Sequence, residues 1–272
     1  MRLLSLAGRV AFTFCMHRQN RFRTVQKVKD NHPRDVVTGL DLILHDVSLQ
    51  FMTDRLPGCR LLSEEADCQF SVDDLRKGEW LIVDPLDGSY NITIDMPHYG
   101  YMAAHLLGGV IDSAVVVLPE RDQYIVADKD TTLYAKPLSE TPFFNNGPVY
   151  YAYSPTLSSV ERKARRTLID LIDSHSAGIY RYGSACDGLY QLLAGRHMAF
   201  IGHGVRLWDV IAFLPILAAR KIQVRYVITS KGTTLIAGTN DQFVQAVENV
   251  FGEEQGLTLH SFDGGSLHIA PT

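Results

Sequence analysis

Apolar side chains recur at helical spacing from the first residues of the chain. Leu3, Leu6, Ala7, Val10, Ala11 and Phe14 fall on one face of a 3.6-residue period, which predicts an amphipathic first helix. Arg2, Arg9 and His17 interrupt the apolar run, so the segment lacks the unbroken stretch of a signal peptide. No later stretch reaches the ~18 apolar residues that a membrane span requires. A polar segment from Arg18 to Asp35 follows, with Asn31-His32-Pro33 as an exposed loop. Thr38 and Asp41 have the spacing of a capping box, with Asp in place of the usual Glu. Leu42, Ile43, Val47 and Phe51 extend that helix toward the stop at Pro57-Gly58. Arg60-Leu61-Leu62 reads as a strand, and Trp80-Leu81-Ile82-Val83, apolar at four successive positions ahead of a turn, reads as a buried one. Strands and turns continue from about Tyr99 to Tyr153, with turns at Asp112-Ser113 and Glu120-Arg121-Asp122. Pro137 to Pro148, rich in Pro, Asn and Gly, marks a junction between two halves, 1–145 and 146–272, of one integrated unit. The second half alternates. Helices are expected over Thr156–Asp173, Ser184–Leu193, Trp208–Ala219 and Asp241–Phe251, with strands near Ile179 and over Met198–Ile201. This alternation predicts α/β packing.

Composition adds limits. The chain of 272 residues, 46% hydrophobic and 21% charged, can bury a core without disulfide or metal staples. A net charge of −4 supplies no overall basic field, so nucleic acid is not an expected partner. Cys15, Cys59, Cys68 and Cys186 form no CxxC pair, which excludes a zinc ribbon or thioredoxin-type site read from spacing. Four unevenly placed thiols suit a reducing compartment, the cytoplasm. The ten histidines are scattered, with no metal-type spacing among them.

Candidate chemistry concentrates behind the buried strand, in Asp84-Pro85-Leu86-Asp87-Gly88-Ser89-Tyr90-Asn91. Two carboxylates three residues apart at a strand end can converge on one point. Pro85 fixes the backbone between them and Gly88 permits a sharp turn. A helix starting at Gly88-Ser89 would aim free N–H groups at the same point, where a phosphate oxygen fits. Carboxylates are hard ligands that favour magnesium or manganese over zinc. The same letters also fit an Asx turn that caps a helix. Glu64-Glu65 taken alone is a solvated pair, and Asp209 behind Trp208 taken alone is a helix cap.

Together these pieces resemble the inositol monophosphatase superfamily. Asp84 to Asn91 matches D-P-x-D-G-[ST]-x-N without a gap. Trp208-Asp209-Val210-Ile211 matches W-D-x-A except at Ile211. Ser63-Glu64-Glu65-Ala66 stands for G-E-E-S, Asp35 to Asp41 for D-x-V-T-x-x-D, and Gly183-Ser184-Ala185 for G-[ST]-A. The resemblance spans nearly the whole chain. It implies a layered αβαβα sandwich of the inositol monophosphatase and fructose-1,6-bisphosphatase type. The first half would hold a large antiparallel sheet, the second half a mixed one, and the metal site would lie between them. It also implies a hydrolase of small phosphate monoesters that uses two or three Mg2+ ions, or Mn2+, and often works as a homodimer. Glu64, Asp84 and the Leu86 carbonyl would hold the first metal, and Asp84, Asp87 and Asp209 the second, with Glu65 outside them. Asp41, Ser89 and Glu64 would orient or deprotonate the attacking water. The N–H groups of Gly88 and Ser89 would bind phosphate, and Ser184 and Ala185 would line the alcohol pocket.

Two departures bear on the substrate. The family places an acidic residue seven positions before the W-D aspartate, where this chain has Gly202, followed by His203. A Gly-Gly segment beyond that motif is replaced by Ala218-Ala219-Arg220-Lys221. His203 and Arg206 are therefore candidates for new substrate contacts. A bisphosphatase acting on fructose 1,6-bisphosphate or a 3′,5′-bisphosphate nucleotide is the second enzymatic reading, with Arg181, Arg206 and Lys231 as its basic residues. A non-catalytic, ligand-binding member of the fold is the reading of a different class.

Overall fold

Residues apolar at every position need two apolar neighbours, and this requirement organises the layers. The computed structural model describes residues 2–17, 24–29, 35–66, 70–138, 146–154, 158–263 and 266–267. The first half runs through α1 (Leu4–Met16), β1 (Val25–Val28), β2 (Val36–Thr38), α2 (Gly39–Arg55), β3 (Arg60–Ser63), β4 (Glu79–Asp87), α3 (Ser89–Thr93), β5 (Gly100–Leu107), β6 (Val110–Leu118), β7 (Gln123–Asp128) and β8 (Thr132–Tyr134). The second runs through β9 (Val149–Tyr153), α4 (Ser159–His175), β10 (Ile179–Tyr180), α5 (Ala185–Leu193), β11 (Ala199–Val205), α6 (Phe213–Ala219), β12 (Gln223–Thr229), β13 (Gly232–Gly238), α7 (Asp241–Gln255) and β14 (His260–Ser261).

One six-stranded sheet has the order β3-β4-β5-β6-β7-β8, and the other β10-β9-β11-β13-β12-β14. The first is antiparallel apart from its β3–β4 pair, and the second is mixed, with β10, β9 and β11 parallel. β4 explains its own sequence. Leu81 and Val83 face α1 and α2, among Leu6, Val10, Leu44 and Phe51. Trp80 and Ile82 face the opposite way, toward α5 and α6 with Leu189, Leu193, Phe213 and Ile216. A strand covered on both faces loses the alternation of a half-buried one. The middle helices α5 and α6 also cover the second sheet through Phe200, Val224 and Leu235. The far face of that sheet, with Tyr151, Ile201 and Ile236, is closed by α4 and α7 through Leu168, Ile172, Phe243 and Phe251. The result is the αβαβα sandwich. Among the described residues, no helix is long and apolar enough to cross a membrane.

Local signals held at most helix starts. Thr38 and Asp41 form a reciprocal capping box, and Ser158 with Glu161 caps α4 in the same way. The helix expected from Trp208 begins only at Phe213. Residues 206–214 are instead joined by turns in which Asp209 N–H donates to Arg206 O and Val210 N–H to Leu207 O. Pro215 has no N–H to donate back to Ile211, so a regular helix cannot extend across that step. The Pro137–Pro148 junction and the Asn31-His32-Pro33 loop lie largely outside the described residues.

The middle layer is tightly fitted. A Cβ on Gly188 of α5 would lie 2.7 Å from the Tyr150 ring of β9. Gly188→Ala should therefore destabilise the protein by about 1–3 kcal/mol through overpacking. Helix propensity alone predicts a gain of about 1 kcal/mol for the same change. Urea unfolding decides between them, and a variant of equal or greater stability would refute the close fit.

Candidate active site

β3 and β4 are parallel, so both bring their C-terminal ends to one edge of the first sheet. Directly beyond β3, the Glu64 N–H donates to Val83 O at 3.1 Å, which holds Glu64 beside the end of β4. β4 pairs with β5 at Asp84–Met102 and next at Asp87–Gly100. Between these pairs β4 carries one residue more than β5. A regular strand sends residues three apart to opposite faces. The extra residue re-aims them, and the two carboxylates share one field. Asp209 joins from the turns after β11, its Oδ2 accepting the Arg206 N–H at 2.9 Å.

Gly88 makes the exit from β4 with φ of +90°, and a Cβ there would lie 2.5 Å from His98 O. Glycine alone tolerates both the left-handed backbone and the close approach. Asn91 then ties the short α3 down by donating to His98 O and Tyr182 O, each at 2.6 Å. Ser89 Oγ sits 2.6 Å from Asp41 Oδ1 and 2.7 Å from Leu86 O. One hydroxyl proton therefore faces two acceptors. The other Asp41 oxygen accepts the Thr38 N–H at 2.7 Å and the Thr38 hydroxyl at 2.6 Å. The residue that caps α2 thus also holds the Ser89 hydroxyl.

The electrostatics follow from crowding. Burial, then the charges of Glu64, Asp87, Asp209 and Asp41, push Asp84 well above the usual carboxylate range. Burial, then Glu64 and Asp87, do the same to Asp209. Burial raises Asp87 to about 6 despite hydrogen bonds from the Ser184 hydroxyl and the Cys186 N–H, both at 2.6 Å. Burial raises Asp41 to about 7 against its bonds from Ser89 and Thr38. Burial also raises Glu64, with Lys29 opposing and Glu65 adding.

Lys29 was not legible in the sequence as a site residue. Its Nζ lies 3.0 Å from Glu64 Oε1 and 2.7 Å from Glu65 Oε1. Burial alone would lower this ammonium, but the two glutamates raise it. No local signal marks it, because its partners lie 35 and 36 residues on and only the β1–β2 hairpin delivers it. One ammonium against Glu64, Glu65, Asp84, Asp87 and Asp209 leaves a large excess of negative charge. An all-oxygen donor set with that excess fits hard divalent cations.

Of the expected substrate contacts, Ser184 and Ala185 lie at the start of α5, with the Ser184 hydroxyl committed to Asp87. His203 does not face the cleft. It is buried on the face of β11 that meets the outer helices, hydrogen-bonded to Tyr151 Oη at 3.0 Å and Gln255 Nε2 at 2.8 Å, with its ring against Phe251. Strand alternation accounts for this, since Ile201 two residues earlier faces the same way. Gly202 points to the other face, where a Cβ would meet Val205 Cγ2 at 3.1 Å and Phe200 Cε1 at 3.2 Å. Arg181 is stacked 3.6 Å from the Tyr153 ring centre and donates to Tyr153 O.

The sequence profile of the inositol monophosphatase family matches residues 3–220. This chain belongs to the inositol monophosphatase family. An inositol-1-monophosphatase of Caulobacter vibrioides is 23% identical over 243 residues, covering 84% of this chain and 91% of that protein. The Nus factor SuhB of Xylella fastidiosa is 23% identical over 216 residues, 78% of this chain and 76% of its own length. The solved structure of a Thermotoga maritima IMPase superposes with a TM-score of 0.71 at 19% identity, covering 93% of this chain and 98% of that one. The fold is therefore the IMPase fold, and family membership supports a phosphatase-type function.

A magnesium ion held by the raised carboxylates would stabilise the fold in a pH-dependent way. Asp87 and Asp41, at about 6 and 7, lie above their ordinary value of 3.8. Without metal, their contribution to folding is fully present below that ordinary value and is lost as pH rises through 6 to 7. His197 and His203, both lowered to about 4 by burial, act in the opposite sense over an overlapping window. The difference in Tm with and without magnesium cancels the histidines. That difference should grow from about pH 5 to about pH 7.5 as protons cease to compete for the carboxylates. A difference that is flat or shrinks over this range would contradict the assignment.

Proposed function

We propose that this protein hydrolyses a small-molecule phosphate monoester in a magnesium-dependent reaction. The observation that carries the reading is the convergence of Glu64, Asp84, Asp87 and Asp209 at one edge of the first sheet, with a mutual repulsion that bound divalent cations would relieve. Glu64, Asp84 and the Leu86 carbonyl would hold one cation, and Asp84, Asp87 and Asp209 the other. Bound there, magnesium would neutralise charge on the phosphoryl group and make a water more acidic. The protein supplies the rest. Ser89 and Asp41 form a relay: the hydroxyl passes its proton to Asp41 Oδ1 and takes one from the attacking water. Asp41, buried and already 2.6 Å from the Ser89 hydroxyl, is placed to accept that proton. The water oxygen bonds to phosphorus as the alkyl oxygen leaves and takes up a proton, so no covalent intermediate on a Ser or Cys is required. The Gly88 and Ser89 N–H groups at the exit of β4 suit the phosphate oxygens.

Where relatives carry an acidic contact to the substrate alcohol, Gly202 offers no side chain, and Phe200 and Val205 border its Cβ direction. A site lacking such a group discriminates less among alcohols. Inositol 1-phosphate is therefore not expected to be the best substrate.

The tests are kinetic. Phosphate release should require magnesium or manganese and stop with chelator, and turnover in excess EDTA would reject the proposal. Asp209→Asn should lower the rate by about 10³-fold or more, as expected when a metal ligand loses its charge. Ser89→Ala should lower kcat by about 10²-fold while Ser89→Thr stays near wild type, because either hydroxyl can serve the relay. Unchanged turnover in the alanine variant would reduce Ser89 to a helix residue. Across a panel of inositol 1-phosphate, fructose 1,6-bisphosphate, adenosine 3′,5′-bisphosphate and sugar phosphates, kcat/KM for the inositol ester should not lead. A lead of about tenfold would overturn the Gly202 argument.

A further inference from the structure

At the opposite end of β4 from Asp84 and Asp87 is a second gathering of ligand atoms with a different chemistry. Cys59 lies on the turn between α2 and β3, Glu79 opens β4, and His105 is on β5. The Cys59 thiol, a Glu79 carboxylate oxygen and a His105 ring nitrogen all lie within 4.8 Å of one another. Among the described residues, this is the one group of three such side chains gathered so closely. The register explains the meeting. Arg60 pairs with Trp80, so Cys59 falls next to Glu79; Leu81 pairs with His105, which puts Glu79 and His105 on one face.

His105 is fully buried, yet both of its ring nitrogens meet carboxylates. Nε2 is 2.6 Å from Glu79 Oε1 and Nδ1 is 3.1 Å from Asp112 Oδ2. The Asp112 contact depends on a bulge. β5 pairs with β6 at His105–Ser113 and next at Leu106–Ile111, which leaves Asp112 as the extra residue. A carboxylate on Nδ1 would hold the tautomer in which Nε2, now 2.6 Å from Glu79, turns its lone pair to an ion that Glu79 also binds, an arrangement common behind metal-bound histidines. Glu79 and Asp112 are 28% and 33% exposed, which gives an ion a way in, whereas Cys59 and His105 are buried. Burial and the Glu79 charge push the Cys59 thiol up to about 12, so metal entry would displace a proton from sulfur.

We propose that Cys59, Glu79 and His105 form a second metal site, selective for zinc or a similar borderline transition ion, with Asp112 orienting His105 and a water completing the coordination. Sulfur, imidazole and carboxylate together select zinc-class ions over magnesium, so this site and the all-oxygen cleft would hold different metals. Tetrahedral zinc with such ligands sets them roughly 3.3–3.8 Å apart, within reach by small side-chain rotations. Glu79 and Asp84 are five strand steps apart, roughly 16 Å, so the ion would not touch the substrate. It would pin the α2–β3 turn to β4 and β5.

Cobalt titration of the full-length protein, with magnesium in excess to fill the oxygen sites, tests this. Wild type should develop a thiolate-to-cobalt charge-transfer band in the near ultraviolet, and zinc should abolish it. Cys59→Ser should lose the band, while Cys15→Ser and Asp209→Asn keep it. Asp112→Asn should weaken cobalt binding by about 10- to 100-fold with the band retained, as for other second-sphere partners. If His105→Gln fails to fold, zinc-dependent thermal stabilisation provides the independent readout: Tm should rise with zinc in wild type and not in Cys59→Ser. No thiolate band in wild type, a band that survives Cys59→Ser, or equal zinc stabilisation of the two proteins would each overturn the proposal.

Discussion

The arrangement rests on one electrostatic constraint: several carboxylates must be kept close together in a poorly solvated place. Glu64, Asp84, Asp87 and Asp209 raise one another's proton affinity, and no apolar packing can offset that. The fold meets the constraint by drawing the charges from separate elements, each already anchored by its own core. β3 and β4 are fixed between the α1–α2 layer and the central helices, and β11 between those same central helices and the α4–α7 layer. The carboxylates cannot drift apart without unpacking a layer. The backbone relieves part of the repulsion locally, through the Leu86 N–H on Asp84, the Cys186 N–H on Asp87 and the Arg206 N–H on Asp209. Lys29 supplies the one ammonium that bridges Glu64 and Glu65. What remains is an unsatisfied demand for positive charge, and a phosphatase can use that demand.

The sequence revealed what local rules control. The uniform apolar run of β4 announced a strand covered on both faces, and the Thr38–Asp41 spacing announced a helix start, while the pairing of Asp41 with Ser89 across 48 residues lay beyond any local rule. Motif order carried the family and the αβαβα layers. Features set by chain geometry were harder to see. The start of α6 moved to Phe213 because Pro215 withholds an N–H, a subtraction that apolar periodicity does not register. His203 stands near Asp209 in sequence, which makes it a candidate for the cleft, but strand alternation turns it to the outer helices. Lys29 and the Cys59, Glu79 and His105 group are brought together by strand register across tens of residues, and spacing rules see only neighbours.

Asp87 belongs to two structures at once. It ends β4 in the first sheet, and its Oδ2 also receives the Ser184 hydroxyl and the Cys186 N–H at the start of α5. The same carboxylate therefore serves as an anion for the cleft and as a clasp between the first sheet and the central helices. Asp209, by contrast, accepts from Arg206 within its own turn. The two aspartates should behave differently in a free-energy cycle. Changes at Asp87 and Ser184 would couple strongly, because each removes the partner of the other. Changes at Asp209 and Ser184 would combine almost independently. The cleft thus has a mechanical side as well as an electrostatic one: whatever occupies Asp87 also sets the tension on the first turn of α5.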